Sequence, residues 1–265
     1  MSKDETMSGI ADHTVPNMGR IYDYFLGGHH NFEVDRIYAA KILETVPMTP
    51  KMCRLVRWFL GAAARTLAAD GFTQFVDFAS GLPVEDHIHR ITPPGTRVLY
   101  SDNDPITVAY AEEILGDTPD VLYLKCDVAD PSAVLQNEAV VSFFDRNEKT
   151  AVGLNGITYF MNDEKLRSTL ETLYDWARPG DRLYLCDSSM IHTDKAASEI
   201  YTKMGNPLFW HSEEQIGELA GKWRPVPPGY QLLEEWIRLD KTPLSIASEE
   251  KQTFGGNFYG VIYEK

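Results

Sequence analysis

Apolar positions along the chain change their period, and each change predicts a different kind of element. Between Lys51 and Ala69, the residues Met52, Val56, Phe59, Leu60, Ala63 and Leu67 recur at helical spacing, and the run stops before Gly71. That pattern predicts one amphipathic helix packed on a core. Upstream, Asn17 to Leu26 and Phe32 to Leu43 predict two shorter helices, separated by Gly27-Gly28-His29-His30-Asn31. Downstream, short apolar runs alternate with helical stretches at Thr73 to Phe78, Arg97 to Tyr100, Val121 to Cys126, Ala151 to Leu154 and Arg182 to Cys186. Such alternation predicts an α/β fold with a mostly parallel, doubly wound sheet. Helices are expected near Asp194 to Met204 and Glu213 to Gly221. Two extended runs, Gln231 to Leu239 and Asn257 to Tyr263, are predicted to close the sheet as an antiparallel hairpin. Asp104-Pro105 and Asp130-Pro131 each place an N-cap oxygen before a proline, and Ser212 with Gln215 has capping-box spacing.

These elements divide the chain into a disordered stretch over 1–15, a helical cap over 16–50 and a Rossmann-like domain over 51–265. Composition narrows the function. The apolar share of 43% is that of a globular chain with a sizeable core. The 39 acidic against 25 basic residues, a net charge of -14, would repel phosphate backbones and anionic membranes, so neither nucleic acid nor membrane is expected as a partner. No apolar stretch approaches the roughly 20 residues needed to span a bilayer, and no basic opening precedes an apolar run, so a cytoplasmic location is expected. Cys53, Cys126 and Cys186 are odd in number and far apart, which suits a reducing compartment and small buried hydrophobes.

Candidate chemistry gathers in the loops after the strands, where doubly wound sheets bind ligands. The first strand runs into Asp77-Phe78-Ala79-Ser80-Gly81-Leu82-Pro83. A dinucleotide fingerprint needs three glycines, whereas this turn has Gly81 alone and a proline two residues on. S-adenosylmethionine (SAM) has no pyrophosphate and asks for one close backbone approach, so it fits better than NAD. Taken alone, the turn is equally an ordinary strand-to-helix connection. The second strand ends in Asp102-Asn103-Asp104-Pro105, with Asp102 standing 21 positions after Gly81, where a carboxylate accepting ribose hydroxyls is expected. Asp104 precedes a proline and reads as a helix cap. Asp127-Val128 follows the third strand, and Asp127 is a candidate for the adenine amine or for a turn carboxylate before Asp130-Pro131.

With these residues in hand, the chain resembles bacterial class I SAM-dependent methyltransferases marked by an R-x-Y-D-Y-x-L-G-G-x-x-N-F-x-x-D-R signature. Arg20 to Arg36 match it throughout, and the likeness continues through D-x-x-[ST]-G-L-P at Asp77 to Pro83 and D-N-D-P at Asp102 to Pro105. The resemblance implies a seven-stranded Rossmann-like sheet with an antiparallel last strand, and adenosine bound by Asp102 and Asp127. It also implies a cap folded over the cofactor, with Tyr22, Gly28, Asn31 and Arg36 at its methionine end. Asp77, Ala79, Ser80, Gly81, Asn103, Val128 and Asn155 complete the expected cofactor set.

Two departures from the family stand out. Phe78-Ala79 replaces the usual glycine in the first turn. After the fourth strand, Leu154-Asn155-Gly156-Ile157-Thr158-Tyr159-Phe160 brings in an amide, a hydroxyl and a phenol where relatives carry an apolar V-L-H-F run. Buried polar groups there need partners, so Asn155, Tyr159 and, from Asp187-Ser188-Ser189, Ser188 are the candidate catalytic residues. Phe209, Trp210, Phe254 and Phe258 are candidates to roof the site through ring-cation contacts. Methyl transfer to a nitrogen or oxygen of a small molecule is the expected reaction. An azetidine-2-carboxylate synthase of the same fold, cyclising SAM itself with release of methylthioadenosine, is the alternative. A non-catalytic SAM-binding regulator is the third reading. No metal is expected: His87 and His89, two apart on a predicted helix, point to different faces.

Overall fold

The computed structural model describes residues 14–83, 86–189, 195–236 and 257–265. The predicted disorder over residues 1–13, Phe254 and the end of the expected strand at 237–239 lie outside them. The described chain starts with α1 (Met18–Leu26), α2 (Glu33–Thr45) and α3 (Thr49–Ala69), and then alternates β1 (Gln74–Phe78), β2 (Arg97–Asp102), α4 (Pro105–Leu115), β3 (Val121–Lys125), β4 (Thr150–Leu154), α5 (Asp163–Trp176) and β5 (Arg182–Ser188). The tail consists of α6 (Lys195–Lys203), α7 (Glu213–Ala220), two two-residue strands, β6 (Arg224–Pro225) and β7 (Gln231–Leu232), and β8 (Phe258–Glu264).

The strand order β3-β2-β1-β4-β5-β8-β6, with parallel pairing throughout except along β8, makes a mostly parallel mixed sheet. Strand β1 pairs β2 on one side and β4 on the other, so the order reverses there and a cleft opens at the carboxyl ends. Both faces are covered, which is why the strands read as continuous apolar runs. On one face Phe75, Val98, Ala151 and Tyr184 meet α3 through Leu55, Phe59 and Ala63. On the other, Val76, Leu99, Val152 and Leu183 meet Leu166, Leu170 and Leu173 of α5 and Ile216 of α7. Two of the three predicted caps form: Asp104 accepts from the Thr107 amide at 3.0 Å, and Ser212 and Gln215 make a reciprocal box. Asp130 does not cap: the following turn, Ser132–Leu135, begins at Pro131 without a side-chain cap, and the Asp130 carboxylate accepts from Ser132 Oγ instead.

The closing edge differs from expectation. Among the described residues of the predicted long strand, Gln231–Leu232 pairs and the chain then turns helical at Leu233–Trp236. The remainder of that edge is filled by β6, which pairs Arg224 and Pro225 with Glu264 and Tyr263, while β7 pairs farther along β8. Eight segments thus occupy seven places. The two histidines also depart from the prediction. His87 has extended backbone and precedes the single turn Ile88–Ile91, so helical spacing does not apply to it. Its ring lies 6.4 Å from that of His89, and both pack against Tyr100.

Asp77, on β1, is 2% exposed and accepts from the Tyr184 hydroxyl at 3.1 Å. Burial pushes its carboxyl up to about 7. A carboxyl whose pKa is raised by folding contributes most below the ordinary carboxylate pKa, and that contribution is lost as pH rises through about 7. Asp77→Asn keeps an oxygen for Tyr184 and removes the ionisation. The variant is expected to hold a flatter urea midpoint between acid and pH 8 than the parent, with a difference on the order of 4 kcal/mol at the alkaline end. Parallel midpoints across that range would refute it.

Candidate functional site

The cleft at the β1/β4 switch opens into a cavity of about 420 Å³. Its floor is the turn after β1 with the ends of β2 and β3: Ala79, Ser80, Gly81, Asp102, Asn103, Cys126 and Val128. The turn is held on both sides. Ser80 Oγ donates to the Asp77 carbonyl and accepts from the Ser101 amide, while the Gly81 carbonyl accepts from Tyr123 Oη at 2.8 Å. Gly81 has φ of 64°, which a side chain would strain, and Ala79 takes that strain itself at φ of 51°. Ala79 thus occupies the left-handed region within a turn that lines the cavity.

Asp102 lies beside this turn. Its two oxygens accept from the Gly81 and Asp104 amides at 3.2 and 3.0 Å, which fixes the carboxylate at the cavity floor. Burial, the largest influence, pushes its carboxyl up to about 6. It remains ionised at neutral pH, and each oxygen keeps capacity for another donor.

The opposite wall comes from the cap and from the segment after α6. Tyr22 lines it, with its hydroxyl donating to the Cys53 carbonyl at 3.0 Å. Asn155 and Tyr159 enter from the loop after β4. Asn155 Nδ2 donates to the Val56 carbonyl at 3.2 Å, and its Oδ1 accepts from the Cys186 thiol. Tyr159 packs against Phe160, Trp210 and Phe258. Phe209 is not among the lining residues; its amide donates to the Tyr159 carbonyl.

Gly28, Asn31 and Arg36 do not line the cavity. They build the loop between α1 and α2. Asp23 Oδ2 accepts from the His30 amide and from Asn31 Nδ2, and a Cβ on Gly28 would stand 2.0 Å from Asp23 Oδ1. Arg36 donates to Asn31 and pairs with Glu33 at the surface. Much of the signature thus builds the loop between α1 and α2, while Tyr22 and Phe25 are its lining residues.

Ser188, Asp77 and Asp127 also lie outside the lining. Ser188 is fully buried, and its amide donates to Asp187 Oδ1, whose other oxygen lies 2.9 Å from His211 Nδ1. That pair anchors the residue next to Trp210. Asp127 is exposed and accepts from the Ala129 amide, the turn role that the sequence left open. The reading from sequence missed a stripe of α3, where Thr49, Met52, Cys53 and Val56 face the cavity at i, i+3, i+4, i+7 spacing. Met52 and Val56 carried an amphipathic signal, which cannot say whether an apolar face meets a sheet or a ligand. Tyr201 and Met204, in the helix expected near Asp194 to Met204, and Asn206 and Leu208 beyond it also line the cavity, and the sequence singled out none of them. Among the described residues no cluster of three potential metal ligands occurs, and no helix is long and apolar enough to cross a membrane.

A family model described as S-adenosyl methyltransferase matches residues 4–260. The chain belongs to this family. Solved structures agree with this S-adenosyl methyltransferase assignment. A methyltransferase structure from Thermobifida fusca is 25% identical, covers 97% of each chain and superposes with a TM-score of 0.85. A DUF574 family protein from Streptomyces avermitilis has the same TM-score at 23% identity, over 96% of this chain and 99% of its own. The magnesium protoporphyrin IX methyltransferase of Synechocystis, solved with S-adenosylhomocysteine (SAH), shares the fold at a TM-score of 0.52 and 13% identity, over 98% of this chain and 99% of its own. No curated protein matches the chain in sequence. The family's cofactor is SAM, and the cavity suits it: an ionised carboxylate on the floor, one close backbone turn at Gly81, and an uncharged upper wall.

Proposed function

We propose that this methyltransferase carries the methyl group of SAM to a nitrogen or oxygen atom of a small molecule bound under the helical cap. The observation that carries the reading is the two-sided cavity, with Asp102 and the Ala79 to Gly81 turn below and the aromatic wall above. Asp102 would accept the ribose hydroxyls beside Asn103. Cys126 and Val128 would border adenine, and Tyr22, Asn155 and Tyr159 would surround the methionine end. Asp127 lies outside the described lining, where it accepts from the Ala129 amide, and Ser188 is buried behind the site.

SAM supplies an activated methyl on a cationic sulfur, so the protein's task is position. In-line displacement gains most from holding donor and acceptor aligned in a site closed to water. Tyr159 and Asn155, fixed by ring packing and by bonds to Val56 and Cys186, are placed to orient the acceptor.

Calorimetric titration with SAH tests the cofactor site, and a tritiated-methyl assay over small-molecule acceptors tests transfer. Incubation with SAM alone separates the alternatives: accumulation of methylthioadenosine would mean cyclisation, and turnover only with an acceptor would mean transfer. Tight SAH binding without either product would support a regulatory role.

A further inference from the structure

The chemistry of the upper cavity restricts what can be methylated there. Tyr22, Tyr159, Phe160, Tyr201, Trp210 and Phe258 line the wall, and the rings of the last five form a connected set: Phe160 lies 6.2 Å from Tyr201 and 4.9 Å from Tyr159, which lies 6.3 Å from Trp210 and 6.1 Å from Phe258. Among the described lining residues there is no Lys, Arg, His or Glu, and the one carboxylate, Asp102, is on the floor. Burial raises the phenols of Tyr22, Tyr159 and Tyr201 and pushes the Cys53 thiol up to about 12. All four hold their protons at neutral pH.

We infer that the acceptor is an uncharged amine on an apolar or aromatic body, methylated at nitrogen, with the resulting cation held against the ring faces of Tyr159, Tyr201 and Trp210. This inference rests on the methyl-transfer reading above. An alcohol or phenol acceptor would need a base to take its proton, and the described residues of the upper wall include none. A carboxylate acceptor would need a cation beside it, and the described wall has none of those either. A neutral amine needs neither. Its lone pair attacks the methyl carbon as the S–CH3 bond breaks, the bonding pair stays on sulfur, and the positive charge moves from sulfur to nitrogen. With a tertiary amine no proton has to leave. Aromatic faces stabilise such a cation by about 0.5–2 kcal/mol each when desolvated.

The test uses one body with three charges. The full-length protein is first titrated with SAH, and the SAH-loaded protein is then titrated with benzyltrimethylammonium, benzyl alcohol and benzoate. The ammonium is expected to bind at least about tenfold more tightly than benzoate. Trp210→Leu and, separately, Tyr201→Leu are expected to weaken it by about 3- to 30-fold, more than either weakens SAH. With SAM, N,N-dimethylbenzylamine should yield benzyltrimethylammonium, and benzyl alcohol and benzoate should yield no methylated product. Benzoate binding as tightly as the ammonium, ammonium binding indifferent to both variants, or formation of the ether or ester while the amine stays unmodified would overturn the inference. Failure of SAH to bind in the first titration would instead overturn the SAM site on which it rests.

Discussion

Asp102→Ala is expected to raise the dissociation constant of SAH by 100-fold or more. Two ribose hydroxyls donating to an ionised carboxylate are worth about 1.5–3 kcal/mol each, and each 1.4 kcal/mol is tenfold in affinity. The alanine also strands the Gly81 and Asp104 amides that the carboxylate holds, so a looser turn adds to the loss. Asp102→Asn separates the two contributions, because it keeps an acceptor for the turn and removes the charge. The pH dependence carries the same signature. The carboxyl titrates at about 6 and the hydroxyls bind its ionised form, so affinity should fall about tenfold per unit as pH drops below 6. The asparagine variant should show no such fall. Calorimetry across pH 5 to 8 measures both. An Asp102→Ala protein that binds SAH within threefold of the parent would remove Asp102 from the site.

Asp35→Ala should be the most damaging single change in the cap. Asp35 is fully buried and accepts from the Asn17 amide through one oxygen and from Arg20 Nε and the Phe32 amide through the other. Arg20 is itself 2% exposed, its Nη2 donates to the Val15 carbonyl, and its guanidinium lies against the Phe32 ring. Removing the carboxylate leaves a buried cation whose other acidic neighbour, Asp104, is 3.8 Å away. Breaking a buried pair from one side costs about 3–5 kcal/mol. The loss should appear as faster amide exchange over residues 17–36 and a lower urea midpoint. SAH affinity should weaken too, because Met18, Gly19 and Tyr22 of the same segment line the cavity. Arg20→Met together with Asp35→Leu, which removes both charges, should recover part of the stability. If the double variant is as unstable as the single one, the unpaired charge is not the cause.

Both predictions concern residues that were visible in the sequence, but for different reasons. Asp102 was legible because its role is local: a strand end, a fixed distance from Gly81, and a neighbouring Asp104-Pro105 that already accounts for the other aspartate. The signature residues Gly28, Asn31 and Arg36 looked like ligand contacts because glycine, amide and guanidinium are the groups that ligands use. They are also the groups a tight interhelical loop uses, and Asp23 claims two of them. The residue type at Ala79 gave no sign that the turn forms around a left-handed alanine.

Periodicity and turn chemistry depend on neighbours a few residues apart, so the chain alone settled the order of helices and strands, the parallel core and the caps at Asp104 and Ser212. The closing edge escaped it, because a two-residue strand at Gln231 is set by what β8 offers across the sheet. So did the upper cavity. Whether the apolar face of α3 or the rings of Tyr159, Tyr201 and Trp210 meet core or ligand depends on contacts between segments far apart in sequence, and only the packing of cap, sheet and post-α6 segment leaves the space between them empty.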